Sequence, residues 1–162
     1  RKRSSAASDV YKRQLLTLIC LSVVTFGSNL ISYLSSSARF DVSVMGVEEF
    51  NLQTGESIDF NAFYGYAVTG GLMILALAVL LSFKSLPRQF KLGRMLFFTY
   101  FIVLISFIVL SYVAQDSISK DITSKELGLG FAFLVMGLPF SFLANVGIKK
   151  DKKLIDSLNR LR

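Results

Sequence analysis

Marking every Asp, Glu, Lys and Arg divides the chain into uncharged runs separated by charged connections. Residues 15–38 and 60–83 each carry no charge over 24 positions, residues 95–115 none over 21, and residues 127–148 none over 22. A membrane-spanning helix needs about 20 mostly apolar residues to cross roughly 30 Å of hydrocarbon. A soluble helix would place a charged face toward water every turn, and these runs have no such face. The pattern therefore predicts an all-α membrane protein with four transmembrane helices in an antiparallel bundle, at about 15–36, 62–83, 95–115 and 127–148. Residues 37–61 and 116–126 become outer loops, 84–94 an inner loop and 149–162 a tail.

The runs differ in character. Residues 95–115 (MLFFTYFIVLISFIVLSYVAQ) are the most apolar, and residues 72–83 (LMILALAVLLSF) anchor the second run. The fourth run contains Pro139, which lacks a backbone donor and is expected to kink its helix. The first run turns polar in its second half through Ser28, Asn29, Ser32 and the serines at 35–37. It also reads as a cleaved secretory signal ending at Ser36-x-Ala38, but its apolar part is longer than the usual h-region, which favours a retained helix.

The loops carry weaker signals. Phe40, Val42 and Val44 alternate with Asp41 and Ser43, the period of a strand, and Gly46 and Thr54-Gly55 mark turns. A short β-ribbon over the bundle and an irregular loop both fit. In the tail, Leu154, Ile155, Leu158 and Leu161 share one helical face. That face makes an amphipathic C-terminal helix, which either lies on the inner membrane surface or continues the fourth helix.

Charge sets the direction. The chain has 18 Lys and Arg against 11 Asp and Glu, a formal net charge of +7. Lys84, Arg88, Lys91 and Arg94 fill the inner loop with no acid among them. The tail adds Lys149, Lys150, Lys152, Lys153, Arg160 and Arg162. The first outer loop holds Arg39 alone against Asp41, Glu48, Glu49, Glu56 and Asp59, and the second holds Lys120 and Lys125 against Asp116, Asp121 and Glu126. Basic segments stay on the side of synthesis, so both termini are expected in the cytoplasm of a bacterial inner membrane. The same cations would meet anionic lipid headgroups. Lipid accounts for the basic patches, so nucleic acid is not an expected partner.

Residues 1–14 (RKRSSAASDVYKRQ) resemble a translated sequencing adapter, which would place the native start upstream of Leu15; a disordered basic arm is the other reading. Neither enters the fold reasoning. Cys20 is the single cysteine, within an apolar run and preceded by the bulky Ile19, which suits a buried small hydrophobe better than a lipid attachment site.

Candidate chemistry is sparse. The chain has no His, the commonest general base and transition-metal ligand. None of the four runs contains an ionisable residue of the kind pumps, proton-coupled transporters and intramembrane proteases place in their helices. No cofactor, metal site or catalytic residue is expected, and the chain reads as a non-enzyme. Asn29, Thr69 and Asn145 are candidates for interhelical hydrogen bonds. Ala67 with Gly71, and Gly128, Gly130 and Gly137, suit close helix packing. Tyr33, Tyr64, Tyr66, Tyr100 and Tyr112 suit an interfacial aromatic belt.

Phe142-Leu143-Ala144-Asn145, Ile148-Lys149-Lys150-Asp151, Lys153-Leu154-Ile155 and Arg160-Leu161-Arg162, with Pro139 upstream and a basic connection from Lys84 to Arg94, form one pattern. It resembles domain-of-unknown-function family 4293, small bacterial integral membrane proteins with four predicted helices. Val146 stands where that family usually has Arg. The resemblance implies topology and no reaction. Three roles follow as expectations. The first is a structural or accessory subunit of a membrane complex, with a protein partner or a second copy. The alternative is a small oligomeric transporter or channel, and the third is a lipid-modifying enzyme.

Overall fold

The computed structural model describes the backbone at residues 2–118 and 122–159, and the side chains at 9–113 and 122–157. Helix α1 (Lys2–Phe26) leads into strands β1 (Ile31–Ser35), β2 (Ala38–Val42), β3 (Gly46–Asn51) and β4 (Ser57–Ala62). Helix α2 (Gly65–Leu81), a 3-10 turn (Ser82–Lys84), helix α3 (Leu86–Ile118), strand β5 (Ile122–Leu127) and helix α4 (Leu129–Asn159) follow. The expectation of an all-α bundle is thereby overturned: among the described residues four helices carry a five-stranded sheet, and three helices, not four, are long and apolar enough to cross a membrane.

The main difference lies in residues 15–36. Helix α1 stops at Phe26, where the Gly27 N–H and the Ser28 hydroxyl both donate to the Val23 carbonyl. Residues 31–35 then form β1. The apolar part of α1, residues 15–26, covers about 18 Å at 1.5 Å per residue, short of the hydrocarbon thickness. Residues 2–14 are helical and continuous with it.

The sheet is antiparallel throughout, in the order β4-β3-β2-β1-β5. Strands β1 to β4 form a meander, larger than the ribbon the alternation suggested. β5 comes from the second outer connection and pairs with β1, Ser32 opposite Glu126 and Tyr33 opposite Lys125. The β2–β3 turn is closed by Ser43, whose hydroxyl accepts the Met45 and Gly46 amides. The β3–β4 turn needs Gly55, whose φ is +71°, a conformation that costs other residues a Cβ clash.

Around the bundle α1 packs on α2 and α4, and α3 also packs on α2 and α4. The buried core runs from Leu21 and Val24 through Leu72, Val79, Leu96, Tyr100 and Leu134, with Tyr33 of the sheet and Val44 of the β2–β3 turn joining it at one end. Most of the predicted inner loop is the first turns of α3. Ser85 precedes that helix, and Pro87 sits in its first turn, where an amide hydrogen has no helical partner to lose. The tail continues α4 as one helix to Asn159, through Pro139. Arg160, Leu161 and Arg162, and the outer-loop residues Lys120 and Asp121, lie outside the described residues.

Candidate functional site

The connectivity places every loop between 27 and 64 and strand β5 at one end of the bundle, and the 3-10 turn with the last turns of α4 at the other. Lys84, Arg88, Lys91, Arg94, Lys149, Lys150 and Lys153 are exposed at this second end, and Lys152 is half-buried. Phe90 of α3 gathers two of them. The Arg94 guanidinium lies 5.8 Å from its ring centre and the Lys152 ammonium 6.0 Å, one from α3 and one from α4. Among the described residues none of these eight cations has a carboxylate within ion-pair distance. A row of unneutralised cations on an apolar ring can hold phosphate-bearing headgroups.

The opposite end is built on the sheet. Cross-strand register lines up Glu126, Ser32, Asp41 and Glu48 on one face. Asp41 is only 7% exposed there, which is costly for a carboxylate without partners. It has two: Asn29 Nδ2 donates to Oδ2 at 2.8 Å, and Arg39 Nε to Oδ1 at 2.8 Å. The Arg39 Nη2 reaches Ser32 Oγ at 3.3 Å. The Asp41 hydrogen bond and charge hold the Arg39 guanidinium's proton above its ordinary value. This network neutralises a buried acid and ties the α1–β1 corner to β2.

The sheet's other face meets the helices. Tyr33 is fully buried, and its hydroxyl donates to the Ser111 carbonyl of α3 at 2.6 Å. Burial pushes its phenol above the usual value. Lys125 of β5 donates to Ser111 Oγ at 3.3 Å and lies over the Tyr33 and Tyr112 rings at 5.5 Å and 4.9 Å.

The three uncharged polar candidates separate. Asn145 of α4 donates to the Gly93 carbonyl of α3 at 2.7 Å, a bond between helices. Thr69, fully buried, bonds back to the Gly65 and Tyr66 carbonyls of its own helix. Asn29 lies beyond the end of α1 and serves Asp41. Of the tyrosines, Tyr64, Tyr66 and Tyr112 are exposed, while Tyr33 and Tyr100 belong to the core. Glycine positions divide likewise. A Cβ at Gly137 would meet the Tyr100 phenol, and one at Gly128 the Asn29 backbone, but one at Gly71 would meet nothing. Ala67 and Gly71 are both exposed.

Several residues that organise these ends carried no signal of their own in the sequence. Arg39 and Asp41 were legible only as a lone cation among acids, and Tyr33 as one more aromatic. The spacing of Asp41 between Phe40 and Val42 does put it opposite the apolar face, and that was the one clue to its position.

The model of the domain-of-unknown-function family DUF4293 matches residues 14–161. No curated protein matches the chain.

Proposed function

We propose, from the premise that the chain belongs to the DUF4293 family, that it is an integral protein of the bacterial inner membrane with a structural or accessory role in a larger membrane complex, and not an enzyme. The observation that carries this reading is the division of charge along three apolar helices, Gly65–Lys84, Leu86–Val113 and Leu129–Ser157. Their outward side chains are large and apolar, among them Ile74, Leu81, Phe98, Ile102, Val109 and Phe142. Their cations collect at one end and the acids of the sheet at the other. Positive segments resist translocation, so the basic end belongs in the cytoplasm and the sheet outside, with α1, packed on α2 and α4, running between the same two ends. At the inner face the eight cations bind anionic headgroups.

The accessory role is supported by how the polar side chains are spent. Asn29, Asp41 and Arg39 satisfy one another in the cap, and Thr69 satisfies its own helix. What remains for partners is apolar surface and the outer face of the sheet.

Two measurements test this. Single cysteines introduced by Glu56→Cys and Lys150→Cys, in a Cys20→Ser background, are treated with a membrane-impermeant maleimide on intact cells. Glu56→Cys labels, and Lys150→Cys labels only after permeabilisation; the reverse pattern sinks the orientation. Purification in mild detergent from native membranes recovers one partner, or a second copy, in fixed ratio. A lone monomer at every detergent concentration removes the accessory role.

A further inference from the structure

The basic half of the bundle contains a polar node whose protein–protein bonds leave three buried atoms over. Asn145 spends its Nδ2 on Gly93, but its Oδ1 has no hydrogen-bond partner among the described residues. The same holds for Ser141 Oγ, one turn earlier on α4, and for Gln14 Nε2 on α1. Ser141 is 3% exposed and Gln14 6%. These three side chains line one small cavity of about 10 Å³, closed by Thr17, Ala76 and Ile148 among others. Gln14 is also the first residue of the segment that the family model matches.

Each observation points to the same occupant. Buried polar groups in folded proteins are paired, because the low dielectric makes an unpaired one costly. The cavity is near the smallest that takes one water, and a buried water needs two to four polar partners. The chemistry is complementary: Gln14 Nε2 can only donate, Asn145 Oδ1 can only accept, and the Ser141 hydroxyl does either. A water accepts from the first, donates to the second and uses the third in either sense. A monovalent cation would share the oxygens but face the Gln14 amide hydrogens. We propose that this cavity is a binding site for a single ordered water that bridges α1 to α4. Through the Asn145–Gly93 bond it makes α1, α4 and α3 one hydrogen-bonded unit. It requires no membrane orientation and stands apart from the role proposed above.

The test uses the full chain, isotopically labelled, in detergent micelles. Cross-peaks from water to the side-chain amide protons of Asn145 and Gln14 are expected, with NOE and ROE of opposite sign, which marks a held water and not proton exchange. Ser141→Ala leaves two partners and the room, so the cross-peaks persist. Ser141→Val fills the room with methyl groups, so they disappear. Visible amide resonances without water cross-peaks in the unsubstituted protein overturn the proposal, and so does their survival in Ser141→Val. A thermal midpoint that rises in NaCl over KCl at equal ionic strength also overturns it, because the node would then hold a cation.

Discussion

At the scale of single residues, neighbours decide what a polar or small side chain contributes. Asn145 and Thr69 both sit in apolar helices, yet only Asn145 bonds across an interface. Asn145→Leu should therefore lower stability by roughly 0.6–2 kcal/mol, the range for interhelical bonds in membranes. Thr69→Val should cost less than that, because its weak bonds return to its own turn. Reversible unfolding in mixed micelles reads both, and equal losses would contradict the assignment. Gly137 is the sharper case. Its Cβ would meet the phenol of Tyr100, which is fully buried and bonded to the Leu134 carbonyl at 3.0 Å, so the ring has nowhere to go. Gly137→Ala gains helix propensity of up to about 1 kcal/mol but overpacks the core by ~1–3 kcal/mol, so destabilisation wins. Adding Tyr100→Phe removes the nearest atom. The double variant should then be more stable than the sum of the single effects, as a double-mutant cycle would show.

At the scale of elements, the sheet is held by its middle. β1 lies between β2 and β5, with Ile31, Tyr33 and Ser35 buried, while every residue of β4 is exposed and β4 is an edge. Hydrogen exchange should find β1 amides protected far longer than those of β4, because opening β1 breaks two ladders and the Tyr33 bond to α3. Comparable protection in the two strands would mean that β4 is covered by something else. Tyr33→Phe removes one buried hydrogen bond and should cost about 1 kcal/mol. It should also speed exchange in β1 and β5 ahead of β4. Helices α3 and α4 are 33 and 31 residues long, about 50 and 46 Å at 1.5 Å per residue. Both exceed the hydrocarbon thickness of roughly 30 Å, so in a membrane their ends would project beyond it.

For the whole molecule, the sheet and the basic end make two different surfaces joined by apolar helices. Replacing Lys149, Lys150, Lys152 and Lys153 together by Gln should weaken attachment of the inner end to anionic membranes by up to ~1 kcal/mol per charge. The assay is the yield of correctly oriented protein read from the Glu56→Cys label on intact cells, with an unchanged yield counting against a role for these cations. The loss should be larger when Lys84, Arg88, Lys91 and Arg94 are replaced as well, because Arg94 and Lys152 flank the same Phe90 ring.

Some of this was legible in the order of residues alone. Charge-free runs marked the apolar middles of α2, α3 and α4, although α3 begins nine residues before its run and α4 continues eleven beyond its own, because a helix suited to hydrocarbon must satisfy its backbone internally and shed its charges locally. The Phe142 to Arg162 pattern pointed to the family in the same way, without any contact. Strand β1 was not legible. Residues 31–35 are uncharged and continuous with an apolar run, and a lack of charge cannot separate a strand from a helix; Gly27, Ser28 and Asn29 break the run just before them, and the serines at 32 and 35–37 make it more polar. What makes those residues a strand is pairing with β2 on one side and with β5, about ninety positions later, on the other; the two ladders replace the bonds that a helix would have supplied from within. The partner of Asp41, the burial of Tyr33 and the meeting of Gln14, Ser141 and Asn145 had to wait for the tertiary structure for the same reason. Hydrogen bonds and cavities belong to pairs of distant segments, and only the packed chain brings those segments together.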